Sequence, residues 1–480
     1  MVLGGCTLAP KYTRPEAPVP AEWPKGAAYQ KAGIGPTTEV VPVLRWQEFI
    51  ADDNLRQIIR TALQNNRDLR IAALNVERAR AMYGIRQAEL LPTVNLNANF
   101  SEQRVPPDLT GTGTKQIVRA CDVNLGVASW EIDFFGRIRS LKDRALQEYL
   151  ASEQARRSTQ ILLVSSLAQA YLTLAADRDN LALAETTLVS QQGAYDLVKR
   201  RYSVGLTPEL ELYRAQTPVD VARRDVVIYT KQVAQDENTL NLLAGSQVPA
   251  SLLPATLDRV SPPKEIAPGL SSEVLLNRPD VLQAESQLKA ANADIGAARA
   301  AFFPRISLTA AIGTASDELS GLFKGGSDAW TYAPRIVMPI FDARTWSAFR
   351  ASKVQQQIVV TQYEKAIQSA FKEVADALAV RGTVDQEVDA QKSLVKALTE
   401  THRLSFSRYN KGIDSYLGVL DAQRSLFAAQ QVLVVLRLSK LSSQVKLYAV
   451  LGGGWEGDSP SEDSKPVVPA RIGDIQLRDE

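Results

Sequence analysis

The chain has 480 residues, and its 55 lysines and arginines nearly balance 53 aspartates and glutamates, leaving a formal charge of +2 and no electrostatic reason to expect a nucleic acid partner. One histidine, His402, and two cysteines, Cys6 and Cys121, are too few for a His/Cys zinc site and leave any Ser/His or Cys/His catalytic pair dependent on a single imidazole. With 45% hydrophobic and 22% charged residues the chain reads as folded, of a length for two to four domains, yet it holds no run of about 18 apolar residues. Neither a conventional enzyme nor a helical membrane protein is the expectation.

The N-terminus reads Met1-Val2-Leu3-Gly4-Gly5-Cys6. A leucine three residues before a cysteine, with small residues between, is the pattern of a bacterial lipobox, in which the cysteine is lipidated after cleavage. An ordinary free cysteine is the competing reading, because the charged and most of the apolar parts of a signal peptide are absent. Thr7 following Cys6 suits outer-membrane sorting, and acyl chains contribute about 0.8 kcal/mol per buried CH₂ to attachment. Residues 1–50 carry Pro10, Pro15, Pro18, Pro20, Pro24, Pro36 and Pro42, which keep that segment extended.

Beyond residue 50 the sequence repeats. Asn66-Arg67-Asp68-Leu69 returns as Asn277-Arg278-Pro279-Asp280-Val281, and one shift of about 212 also aligns Pro92 with Pro304. Arg201-Tyr202-Ser203-Val204-Gly205 returns as Arg408-Tyr409-Asn410-Lys411-Gly412, now at a shift of about 207 that also aligns Leu210 with Leu417 and Ala215-Gln216 with Ala422-Gln423. A duplicated unit accounts for this, with one repeat over 51–245, a linker over 246–271, a second repeat over 272–452 and a polar tail over 453–480 that is expected to be disordered.

Each repeat predicts the same elements. A first helix spans 54–90 and 272–302, a strand pair follows, then a very long helix over 137–203 and 345–411, a turn, and a last helix over 208–244 and 416–451. At 1.5 Å per residue, roughly 65 residues make a helix of about 100 Å, which needs partner helices alongside. Gly205 and Gly412 stand where a left-handed residue would end each long helix. In the strand segments Val94, Leu96, Ala98 and Phe100 alternate with Thr93, Asn95, Asn97 and Asn99, and Ile306, Leu308, Ala310 and Ile312 alternate likewise. Val123, Leu125 and Val127, and Trp330, Tyr332, Ile336, Met338 and Ile340, complete four segments of about 10 residues with one oily face.

Half-buried strands of a soluble sandwich would show the same alternation, but four strands beside such helices favour the membrane. In lipid, four strands leave two open edges, which is not tolerated, and the smallest barrels have about eight strands. Two chains would give eight strands and three would give twelve. Geometry alone leaves dimer and trimer both open.

The residues Cys6-Thr7-Leu8-Ala9-Pro10-Lys11-Tyr12-Thr13-Arg14-Pro15, the Leu-Leu-Pro and Phe-Phe-Pro that precede the strands, the run Tyr409 to Gln423, and Leu451-Gly452-Gly453-Gly454-Trp455 resemble the outer-membrane efflux factors of the TolC/OprM type. The resemblance spans residues 6–456. It implies a mixed, mainly α fold, a trimeric twelve-stranded transmembrane β-barrel continuing into a periplasmic α-barrel, and lipidation at Cys6. It also implies a passive exit duct of a tripartite pump, with a periplasmic adaptor and an inner-membrane RND transporter as partners, exporting drugs or other small toxic compounds. An exit duct for type I protein secretion is the alternative within the class, and a periplasmic coiled-coil scaffold or adaptor lipoprotein the alternative outside it.

The resemblance also assigns sites. Leu417 matches a constricting leucine ring at the periplasmic gate, and Asp421 matches a ring of aspartates one helical turn further; the four-residue spacing puts both on one helix face. Gly418 stands where some relatives carry a second aspartate. Arg408 and Tyr409 match residues that tie the closed tip, with Arg201 and Tyr202 as first-repeat equivalents. The turns holding Gly205, Leu206 and Thr207, and Gly412, Ile413 and Ser415, match the adaptor-docking tips. Without the resemblance, Leu417 reads as core, Asp421 as a solvated helix start, the arginines as surface pairs worth under about 1 kcal/mol, and the glycines as helix terminators. His402 is expected to be structural, and Cys121 a small buried or lipid-facing strand residue.

Overall fold

Duplication is visible in the lengths of the elements. In the computed structural model, which describes residues 7–29, 45–266 and 271–453, helices α1 (Trp46–Phe49), α2 (Asp53–Asn65) and α3 (Arg67–Ala88) lead into strands β1 (Val94–Val105) and β2 (Gln116–Ile132). Helices α4 (Arg137–Ser203) and α5 (Glu209–Ala244) complete the first half. The second half runs α6 (Pro279–Ala300), β3 (Arg305–Ser316), β4 (Asp328–Val337), α7 (Ala343–Asn410) and α8 (Tyr416–Val450). The matched helices have 22 and 22, 67 and 68, and 36 and 35 residues. Cys6, Gly454, Trp455 and the tail lie outside the described residues.

Three expectations need correction. The single helix expected over 54–90 is two, because Asn66 breaks it: its Oδ1 accepts from the Leu69 backbone N–H at 2.9 Å, capping α3, while its Nδ2 donates to the Leu243 carbonyl at 2.9 Å. The helix expected from 272 begins as a 3₁₀ turn over Ser272–Asn277, since Pro279 can open a helix but cannot continue one. Strand β2 has 17 residues rather than about 10, with an irregularity in its register after Val127, where Ser129 takes a positive φ of 55°.

The chain groups into two compact units. One comprises the chain up to Val19, Ile71–Arg156 and Pro279–Ser369, and holds the sheet. Its strands are antiparallel in the order β1-β2-β3-β4. The register aligns Leu96, Leu125, Ile312 and Trp330 across all four strands, and Val94, Val127, Ala310 and Tyr332 beside them. On the other face Asn97, Asn124 and Gly313 align. One face is therefore apolar, and Leu96, Leu125, Ile312 and Trp330 are all exposed on it. Among the described residues, the outer edges of β1 and β4 have no strand partner. Cys121 is buried within β2.

In the same unit an extended strap over residues 7–19 is fastened to α6. The Leu8 and Pro10 carbonyls accept from Arg299 at 3.1 Å and Asn292 at 2.7 Å. Glu285, 4% exposed, accepts from Tyr12 at 3.0 Å and from Arg14 at 3.1 and 2.7 Å, with Lys289 at 3.0 Å. Burial works to raise the Glu285 carboxyl, but the hydrogen bonds from Arg14 and Lys289 outweigh it and hold the group low. Gly296 lets the strap close in: a Cβ there would lie 2.8 Å from the Ala9 Cβ.

The second unit comprises Pro20–Arg70, Arg157–Arg278 and the chain from Ala370 on. Its core joins Trp46, Phe49 and Ile59 with Leu167, Tyr171 and Leu174 of α4, Leu240 of α5 and Tyr448 of α8. Phe49 and Tyr448 stack with ring centroids 3.9 Å apart. Most of the apolar side chains at 163–176 of α4, though not the exposed Leu162 beside them, thus belong to this core. Burying each such side chain stabilises by about 1.5–3 kcal/mol. Gly245 ends α5 at φ 70°, and a Cβ there would lie 2.4 Å from the Asn65 carbonyl oxygen, so only glycine brings α5 against the break at Asn66.

Candidate functional site

Two helical hairpins of the second unit carry the residues singled out in the sequence. Their turns share one backbone design. Gly205 donates to the Tyr202 carbonyl and Leu206 to the Arg201 carbonyl, both at 2.9 Å; Gly412 donates to Tyr409 at 2.9 Å and Ile413 to Arg408 at 3.0 Å. Both glycines are left-handed, at φ 76° and 72°, and a Cβ at either would meet open space. The glycines answer to φ within this chain, the helix-ending motif that satisfies the last carbonyls. Leu206 and Ile413 stand exposed at the turn apices, beside Thr207 and Ser415.

Side chains lock the hairpins together. Val198 and Ala215 from the first and Tyr416 and Val419 from the second form a buried cluster, against which Tyr195, Tyr409 and Leu420 pack. The Arg201 guanidinium lies 5.1 Å from the centre of the Tyr409 ring, and Tyr409 is 5.0 Å from Tyr416. Arg408 grips Asp414 with two hydrogen bonds of 2.6 and 3.1 Å. The Tyr416 hydroxyl is buried without a partner among the described residues, and burial, with Tyr409 adding, pushes its phenol up to about 12.

The first turns of α8 divide cleanly. Tyr416, Val419, Ala422 and Gln423 are buried, while Leu417, Asp421 and Arg424 are exposed on the opposite side. Asp421 accepts from Arg424 at 2.7 Å, one helical turn along. Leu417 is 47% exposed, an aliphatic side chain presented outward rather than packed as core. The structure brings Arg408, Tyr409 and Tyr416 together around one tip and sets Leu417 and Asp421 side by side just beyond it. His402 lies apart, its ring beside Phe406 at 6.4 Å, with its pKa lowered by burial.

Sequence reasoning missed Tyr416 and the Arg201–Tyr409 contact. The signal for Tyr416 was present in the spacing of Tyr416, Val419 and Gln423 along one helix face; nothing local announces a contact between residues 208 positions apart. Among the described residues no cluster of three or more His, Cys, Asp or Glu side chains suits a metal ion.

The chain is similar over most of its length to proteins that form outer-membrane channels. The outer membrane efflux protein family matches residues 58–246 and 270–453. The toluene efflux pump outer membrane protein TtgC and the antibiotic efflux pump outer membrane protein ArpC, both of Pseudomonas putida, are each 48% identical over 459 residues, 95% of this chain and 94% of the relative. The crystal structure of the open state of the MtrE outer membrane channel of Neisseria gonorrhoeae superposes with a TM-score of 0.81 at 36% identity, covering 94% of this chain and 98% of that one. The exposed apolar rows of the sheet, the duplicated long helices and these likenesses agree: the chain belongs to the outer membrane efflux protein family and is the outer-membrane exit duct of an efflux pump.

Proposed function

We propose that three copies of the chain close their sheets into one twelve-stranded barrel in the outer membrane, continued on the periplasmic side by a tube of long helices. The observation that carries this reading is the pair of apolar rows running across all four strands, bounded by unpartnered edges. Each unsatisfied backbone group costs several kcal/mol in hydrocarbon, so the sheet is stable in lipid only when closed. Residues 51–245 and 272–452 act as two copies of one unit joined by 246–271, so a trimer presents six similar hairpins around its axis.

The cargo is a small apolar compound of the kind named for the relatives, an organic solvent or an antibiotic. A periplasmic adaptor docks at Gly205, Leu206 and Thr207 and at Gly412, Ile413 and Ser415, and an inner-membrane RND transporter drives the flux. Leu417 side chains narrow the resting pore, Asp421 carboxylates set its cation preference, and Arg408 and Tyr409 hold the tip shut. Cys6 carries the acyl anchor, beside a strap whose fastening begins at Leu8. The test is light scattering of the detergent-solubilised protein with single-channel recording. A trimer of low resting conductance is expected; a folded monomer would overturn the proposal.

A further inference from the structure

A cavity of about 390 Å³ opens between α4, α5 and α8. Its apolar wall is formed by Val221, Leu417, Leu420 and Phe427. Gln191 of α4 also lines it, is only 5% exposed, and leaves its Oε1 without a hydrogen-bond partner among the described residues. That oxygen lies just behind the wall with almost no accessible surface. Since a buried carbonyl left unpaired costs about 1–3 kcal/mol, a small rotation of the Gln191 side chain toward a donor in the cavity would recover a hydrogen bond. The charged groups at the cavity are already paired: Asp421 with Arg424 at 2.7 Å, Arg214 with Glu211 at 3.0 Å, and Asp225 with Arg224 at 2.7 Å. An ionic occupant is therefore not called for.

We propose that this cavity is a binding site for a neutral molecule of about two rings that carries one hydrogen-bond donor, its rings against Val221, Leu420 and Phe427 and its donor on Gln191. The volume lies in the range of small-molecule pockets, roughly 300–1,000 Å³. Leu417 and Asp421 belong both to the cavity wall and to the exposed face of α8. Occupancy therefore shifts the first turns of α8 against α5 and changes the aperture, a coupling that rests on the gate reading above.

Phenylnaphthylamine, with two ring systems, a single N–H and fluorescence that rises in apolar surroundings, is a suitable probe. It is titrated into the full chain in lipid nanodiscs, with empty discs as the baseline for dye in lipid. The wild type should add a saturable component. Val221→Trp, at a position already 42% exposed and so tolerant of a larger side chain, should fill the cavity and abolish it. Gln191→Leu should weaken binding about tenfold, the loss of one buried hydrogen bond. A wild type that gives only the baseline of empty discs overturns the site, whatever the variants do, and so does equal binding by all three proteins. An adjacent copy occupying the cavity would give the same negative result. Single-channel recording separates the two readings: dye that binds without altering conductance removes the coupling, whereas a protein that binds dye and never conducts overturns the duct and keeps the site.

Discussion

The two hairpin tips are built on the same backbone and fitted with different side chains. Residues 201–206 and 408–413 end their helices through identical hydrogen bonds around a left-handed glycine. Yet Arg408 pairs with Asp414, while in the first tip the position of Asp414 is taken by Thr207 and the equivalent Arg201 lies over Tyr409 of the other tip. Tyr416 fills the shared core, where the first hairpin has Glu209; Asp421 answers to Arg214, a reversal of charge. Backbone geometry is constrained by what a chain of L-residues allows, so duplication preserved it. Side chains at the tip are free to diverge, and their divergence concentrates the locking contacts in the second hairpin.

The strongest way to break this comparison is Tyr416→Ala. Removing a buried aromatic costs about 3–5 kcal/mol, so amide hydrogen exchange should accelerate sharply around 409–423, whereas Glu209→Ala on the exposed counterpart should change local stability by less than about 0.5 kcal/mol. Equal effects would erase the asymmetry. Next come the glycines: Gly205→Ala and Gly412→Ala should each cost roughly 1–2 kcal/mol, because both force a Cβ into left-handed backbone. Exchange measurements that separate the two by more than about 1 kcal/mol would show that the turns are not equivalent.

Smaller effects sharpen the same contrast in the channel. Leu417→Ala should raise single-channel conductance and Leu210→Ala should leave it unchanged; Asp421→Ala should reduce cation preference without loosening the trimer. If Leu417→Ala conducts like the wild type, the aperture lies elsewhere. The smallest effect is electrostatic. Hydrogen bonds from Arg408 hold the Asp414 carboxyl below its ordinary value of 3.8, so the pair's contribution is present above that value and lost as pH falls through the lower folded value. Conductance should therefore rise only in strong acid, below about pH 3.8, and Asp414→Asn should abolish that response. The first tip, with Thr207, has no such titration.

Much of this molecule was legible in the chain because its patterns run over long stretches. Helices of 67 and 68 residues, and a register that repeats every second residue, leave patterns that no local accident mimics. The positions of Leu417 and Asp421 on one face followed from helical spacing, and their exposure agrees with it. What escaped were events fixed by distant partners. The break at Asn66 depends on the Leu243 carbonyl, and the length of β2 depends on a register with β1 and β3. The cavity beside Gln191 exists only because α4, α5 and α8 meet there.

The strap on α6 has a consequence for the order in which the protein matures. Tyr12 and Arg14 seat on Glu285, partners 273 and 271 residues further along the chain. Closing a loop of that span is slow and waits for the partner to exist. Residues 7–19 are thus among the last to find their place, and until α6 is built these side chains have nothing to hold them. A protease present during folding would meet an untethered strap, and the finished fold would afterwards hold it against α6 through the Leu8 and Pro10 carbonyls, Tyr12 and Arg14. Cleavage within residues 8–14 would then report when α6 forms rather than which residues the protease prefers.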